Sequence, residues 1–101
     1  MEVKSNPSVD KFILSLEISV AAKVVKTVLL LKEFGHRLTM PQSKSLGNGL
    51  FELRIRGSKE IRIFYCFHER FAQLLHGFVK KTQQTPRKEL NTAVAKLRML
   101  T

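Results

Sequence analysis

The chain has 101 residues, with 18 Lys and Arg against 8 Asp and Glu, a formal charge of +10 and 44% hydrophobic residues. That apolar fraction excludes a disordered polyelectrolyte, the length supports one domain with one modest core, and the charge points to a polyanionic partner. One cysteine, Cys66, excludes an internal disulfide and a cysteine-based zinc site, and no segment approaches the ~20 apolar residues of a membrane span.

The opening MEVKSN is short and polar, carries no apolar run of the leader type and predicts no strand; a cytoplasmic protein is the expectation. Asn6-Pro7 reads as a helix start, Asn6 capping and Pro7 in the first turn. Val9, Phe12, Ile13 and Leu16 follow at helical spacing and predict a short helix from Pro7 to Glu17. Residues 18–34 predict a second helix, apolar on most faces, ending at Gly35. The two form an α-hairpin packed on a sheet.

Residues 35–49 read as a loop punctuated by Gly, Pro, Ser and Asn, with Lys44 inside it and Gly47-Asn48-Gly49 as a tight turn. Leu50–Arg56 alternates: Phe51, Leu53 and Ile55 on one face, Glu52, Arg54 and Arg56 on the other. After a turn at Gly57-Ser58-Lys59, Glu60–His68 places Ile61, Ile63, Tyr65 and Phe67 on the core face and Glu60, Arg62, Phe64, Cys66 and His68 opposite. A third strand spans Phe71–Lys81, one face carrying Ala72, Leu74, His76, Phe78 and Lys80. Thr85-Pro86 repeats the cap-then-proline signal and opens a last helix with Leu90, Ala93, Val94, Leu97 and Leu100 on one face. The order α-α-β-β-β-α is that of an α+β domain, an antiparallel meander with a helix hairpin and a C-terminal helix. Its sheet is expected to have one apolar face and one cationic face.

The charge is uneven. Residues 1–43 carry six basic and four acidic side chains, +2; residues 44–101 carry twelve and four, +8. No P-loop, dinucleotide fingerprint or HExxH motif occurs, and His36, His68 and His76 fall in different elements, so the reading assigns no cofactor and no metal. Arg54, Arg56, Arg62, Lys80 and Lys81 cluster on adjacent strands or strand ends, with His76 and Glu52 near them. Converging cations suit phosphate recognition and suit stabilising the charge of a phosphorane. RNA supplies its own nucleophile, so cleavage needs only positioning, cations and acid–base help. The residues alone leave binding and cleavage both open. They leave Glu52 as general base or as the arginines' ion-pair partner, His76 as proton shuttle or structural residue, and Phe78 as base-stacking ring or core residue. Tyr65 and Cys66 are expected in the core.

Three blocks, KSLGNGLFELRIRG (44–57), RIFYCF (62–67) and LLHGFVKKTQQTPRKEL (74–90), resemble the phage-derived Gp49-like proteins of the HigB branch of the RelE/ParE toxin superfamily, over roughly residues 7–100. The resemblance implies a RelE-like single domain and the toxin of a type II toxin–antitoxin pair. Its activity would be metal-independent endoribonucleolytic cleavage of mRNA on the ribosome, the 2′-hydroxyl attacking the neighbouring phosphate. It places Arg62 at the scissile phosphate and Lys80 and Lys81 as cations at the end of the last strand, with His76 inside the motif. Arg54, Arg56 and Lys44 become RNA or rRNA contacts. The implied partners are mRNA, the ribosome and a HigA-like helix-turn-helix antitoxin, through which alone operator DNA is bound; no membrane is involved. The alternatives are a non-catalytic nucleic-acid-binding relative or a gyrase-directed ParE-like toxin. Such proteins open with a strand before the helix pair, a strand that MEVKSN does not predict.

Overall fold

In the computed structural model, which describes residues 1–100, the chain runs β1 (Glu2–Ser5), α1 (Pro7–Leu14), α2 (Ile18–Phe34), a 3₁₀ turn (Gly35–Arg37), β2 (Ser43–Gly47), β3 (Leu50–Ile55), β4 (Glu60–His68), β5 (Phe71–Lys80) and α3 (Arg87–Met99). The five strands form one mixed sheet in the order β1-β5-β4-β3-β2. β2 to β5 are an antiparallel meander, and β1 joins β5 in parallel. This is an α+β architecture compatible with the RelE-like fold.

Two strands lie where none was expected. Residues 2–5 form β1 after all, Val3 opposite Ala72 and Ser5 opposite Leu74. The strand is polar because it is an edge: Glu2 and Lys4 are exposed, and Lys4 Nζ sits 4.2 Å above the Phe71 ring. β2 lies within the expected loop, at the opposite edge, with only Ser43 buried. Ser43 pays for that position through its hydroxyl, which hydrogen-bonds the Tyr65 hydroxyl in the interior. β2 and β3 are joined at Asn48 and Gly49, both with positive φ (54° and 82°). That is the turn shape whose twist matches a hairpin, and it is why Asn-Gly is found there.

The helices follow their local signals. The Asn6 side chain accepts from the Ser8 N–H at 3.0 Å and Pro7 occupies the first turn. α1 ends at Leu14, one turn earlier than its apolar spacing suggested, while α2 spans the expected residues. Pro86, not Thr85, is the residue preceding α3. The Thr85 hydroxyl instead donates to Glu52 Oε2 at 3.2 Å, tying the loop before α3 to the sheet.

Alternation holds along β3 and β4 but breaks in β5. Tyr65 pairs with Leu74 and Phe64 with His76, so Leu75 is an extra residue, a bulge. The expected single face of β5 is therefore split. Ala72 and Leu74 join the core under α1 and α2, together with Leu53, Ile61, Ile63, Tyr65, Val24 and Leu31. His76, Phe78 and Lys80 pair with Phe64, Arg62 and Glu60 and lie on the opposite face.

That opposite face is not wholly cationic, contrary to the expectation. Leu50, Phe64, Cys66, Leu75, Phe78 and Ala93 form a second buried cluster, backed by Leu90, Val94, Leu97 and Leu100 of α3. α3 thus covers one part of the face, and its first turn borders the remainder. No helix among the described residues is long and apolar enough to cross a membrane.

Candidate functional site

The sheet face that α3 partly covers carries three cross-strand rows of side chains, with Phe64 and Phe78 in the buried cluster under α3. The first runs Lys44, Glu52, Phe64, His76 across β2 to β5. The second is Arg54, Arg62, Phe78, and the third is Glu60 beside Lys80. All these positions share a face because each is two residues from the next along its strand.

Glu52 is the hub. It is 2% exposed. Its Oε1 accepts from Arg54 Nε at 3.0 Å and lies 3.6 Å from Arg62 Nε, while Oε2 accepts from Thr85. A buried carboxylate persists only when paired and hydrogen-bonded, and the two strand arginines supply that pairing. Between ion-pair partner and general base, the geometry favours the former.

Arg62 is 4% exposed. Its Nη1 donates to Glu60 Oε2 at 2.9 Å. Among the described residues its Nε is buried without a hydrogen-bond partner, held only by the longer ion pair to Glu52. Its two carboxylate partners differ: the Glu52 side chain is 3% exposed and the Glu60 side chain 39%. One is part of the interior and the other is a surface group resting on the guanidinium.

His76 is held from α3. Its Nε2 and Glu89 Oε1 are 2.9 Å apart. A carboxylate only accepts, so Nε2 carries the proton and Nδ1 is left for another partner. The ring stacks on Phe78, centroids 6.2 Å apart, and Phe78 stacks on Phe64 at 5.5 Å. Phe78 is buried; its ring faces are taken by these neighbours, and a base stacks on it only if one of them moves.

Lys80 and Lys81 lie at the end of β5, where with Ser58, Lys59, Glu60 and Val79 they line an open cleft. Lys80 lies four residues from His76, about 13 Å along the strand. Histidine and lysines therefore bracket a stretch of ligand longer than one phosphate. Lys44 is exposed on β2, opposite Glu52. Arg56 lies past the end of β3 and lines a groove with Lys23, Lys26, Gln42 and Arg54, separate from the lysine cleft.

The structure thus brings Arg54, Arg62 and Phe78 into one row with Lys80 and His76 on either side of it, and sets Arg56 apart. Sequence reasoning missed Glu89, Glu60 and Thr85 as parts of this arrangement. Glu89 in the first turn of α3 looks like an ordinary charge favoured by the helix dipole, and nothing local couples it to a histidine thirteen residues earlier. Among the described residues no three His, Cys, Asp or Glu side chains come together as a metal-ligand set.

The sequence profile of the family described as Phage derived protein Gp49-like (DUF891) matches residues 11–98, which takes in the second half of α1, all of α2, β2 to β5 and nearly all of α3. No curated protein sequence matches the chain. The profile match spans most of the chain, so the protein belongs to the Gp49-like phage-derived family, a RelE/HigB-type toxin family.

Proposed function

We propose that this toxin-like protein of the RelE superfamily is a metal-independent endoribonuclease that cleaves mRNA, with the ribosome presenting the strand. The observation that carries the reading is the His76–Glu89 pair at 2.9 Å on the same face of the sheet as Arg54, Arg62 and Lys80. An acid–base group with a free nitrogen beside a row of cations is what transfer to an internal hydroxyl requires.

In this reading the RNA backbone runs along the open face. Lys80 and Lys81 hold phosphates at the end of β5, and Lys44, Arg54 and Arg56 contact the flanking strand or rRNA. The scissile phosphate displaces the exposed Glu60 carboxylate from Arg62, exchanging one anion for another at the guanidinium. The 2′-hydroxyl oxygen bonds to phosphorus and the bond from phosphorus to the 5′-oxygen breaks. The products are a 2′,3′-cyclic phosphate and a 5′-hydroxyl: His76 Nδ1 accepts the proton of the 2′-hydroxyl, and the departing 5′-oxygen takes a proton from water. Glu89 holds the ring and stabilises the imidazolium that forms. A HigA-like helix-turn-helix antitoxin is the expected cytoplasmic partner of the basic face, and links the toxin to its operator.

Primer extension on mRNA after induction tests the reading. Discrete new 5′ ends, lost with His76→Asn and with Lys80→Ala and unaffected by excess chelator, are expected. A second reading, binding without cleavage, draws on the burial of Arg62 between two carboxylates. It predicts salt-sensitive RNA binding with no new ends.

A further inference from the structure

The side of α2 that faces away from the sheet is apolar too. Ile18 is 89% exposed, Val25 50% and Leu29 55%, and Ala22 is also exposed. At 3.6 residues per turn these four fall on one stripe, on the far side of the helix from buried Val20, Val24, Thr27 and Leu31. Their 4-3-4 spacing is that of a helix–helix seam. Leu14, 85% exposed at the end of α1, lies beside the start of the stripe in sequence. A helix apolar on opposite sides is expected to be covered on both.

We propose that this stripe is the contact between two copies of the chain, α2 against α2 and antiparallel. Two features select a second copy over any other occupant. The seam is self-complementary: Ile18 and Leu29 lie equally far from the midpoint between Lys23 and Val24, and so do Ala22 and Val25. An antiparallel pair centred there sets Ile18 of each copy against Leu29 of the other and Ala22 against Val25.

The charges agree with the same arrangement. Glu17 and Lys32, at opposite ends of α2, fall on the same flank of the seam, so antiparallel packing brings Glu17 of each copy beside Lys32 of the other. Parallel packing would leave both Glu17 at one end of the pair and both Lys32 at the other, with no such opposite-charge contact. Residues 7–34 carry four lysines and three carboxylates, so the most basic of chains can approach itself here with little repulsion. The cationic face lies on the other side of the sheet and stays open in both copies. The stripe covers only about three helical turns, less than a standard interface, so the dimer forms on the order of micromolar concentration or above.

Sedimentation velocity over a concentration series, with far-UV circular dichroism to confirm folding, tests this. The wild type is expected to shift from monomer to dimer, and Leu29→Glu to stay monomeric at every concentration. Lys32→Glu is expected to weaken the dimer and Glu17→Lys combined with Lys32→Glu to restore it. The Ala22→Cys/Val25→Cys variant is expected to form an intermolecular disulfide on oxidation. A wild type that remains monomeric to millimolar concentration overturns the proposal. So does a dimer unaffected by Leu29→Glu, or a charge swap that fails to restore what Lys32→Glu lost.

Discussion

Arg54 and Arg62 face each other across β3 and β4, and their Nε atoms lie 3.0 and 3.6 Å from the same oxygen, Oε1 of Glu52. Two guanidinium groups at adjacent positions repel, and the buried carboxylate between them is what lets the sheet present both. Glu52→Ala leaves Arg62 interior and short of an anion, a change that costs about 3–5 kcal/mol in comparable buried pairs. Urea unfolding should therefore show a large loss of stability. A general base at this position would behave differently: Glu52→Gln would abolish cleavage while leaving the midpoint of unfolding almost unchanged.

In the proposed reaction Glu60 is the carboxylate that substrate phosphate replaces at Arg62. Its side chain is much the more exposed partner of Arg62, and an exposed ion pair contributes little to stability. Glu60→Ala should leave folding nearly intact and keep or raise RNA cleavage, because substrate phosphate no longer competes with a resident carboxylate. Arg62→Ala should lower cleavage about a hundred- to a thousand-fold, in the range of losing one charge-stabilising donor. Single-turnover cleavage rates for the two variants check this; a Glu60→Ala enzyme as damaged as Arg62→Ala would refute the exchange.

Glu89, in the proposed reaction, acts through His76 and touches no substrate. His76→Asn should reduce cleavage by about a hundred- to ten-thousand-fold, the usual range for a general acid or base. Glu89→Gln keeps the length and removes the charge that favours the imidazolium, so its effect should be smaller. In the double variant Glu89→Gln with His76→Asn the loss should be no greater than with His76→Asn alone, since Glu89 works only through the ring. A Glu89→Gln variant that cleaves as fast as the wild type would mark the contact as packing alone.

What could be read from residues follows the range of the forces involved. α2 and β4 were legible to the residue because period and terminators agree: seventeen helical residues end at Gly35, and nine alternating ones end at a turn. β1 was not, because four residues with a single apolar one among them, Val3, form a strand only by borrowing backbone partners from β5, some seventy positions later. β2 was hidden by its own edge role, where exposed Lys44, Ser45 and Leu46 resemble a loop. The bulge at Leu75 escaped because both leucines of the Leu74-Leu75 pair are apolar, so either can serve either core. At the site the cations were evident from charge and alternation. Their partners were not: the Glu89 contact to His76 and the Thr85 contact to Glu52 depend on how α3 and the loop before it meet the strands, and Glu60 reads from sequence as an ordinary surface charge.

Gly77 lies opposite Ile63 on the core face of β5, and the Phe12 ring of α1 rests on it. A Cβ there would stand 2.6 Å from Phe12 Cδ2 and 2.9 Å from Cε2, closer than real contacts allow. Gly77→Ala should destabilise the fold by about 1–3 kcal/mol, the cost of an overpacked core. Phe12→Leu should recover part of that loss in the double variant, measured as a coupling in a double-mutant cycle. Additive effects would mean that the ring yields freely and that the glycine is there for another reason.

Tyr65 and Cys66 are neighbours in β4 that point into different cores, Tyr65 beneath the helix hairpin and Cys66 beneath α3. Burial pushes the Tyr65 hydroxyl above its ordinary 10.0, partly offset by the Ser43 hydrogen bond. Burial likewise pushes the Cys66 thiol above its ordinary 9.0. Both groups therefore hold their protons more tightly folded than unfolded. Their contribution to stability is whole below the unfolded values and is lost as pH rises from about 9 through the higher folded values. Urea unfolding across the alkaline range should show that decline, and Cys66→Ala should flatten its lower part. The thiol itself should resist alkylation in the folded chain and react once urea opens α3 from the sheet, because the thiolate is the reactive form. Rapid labelling of the native protein at neutral pH would contradict the burial of Cys66 and the seating of α3 over it.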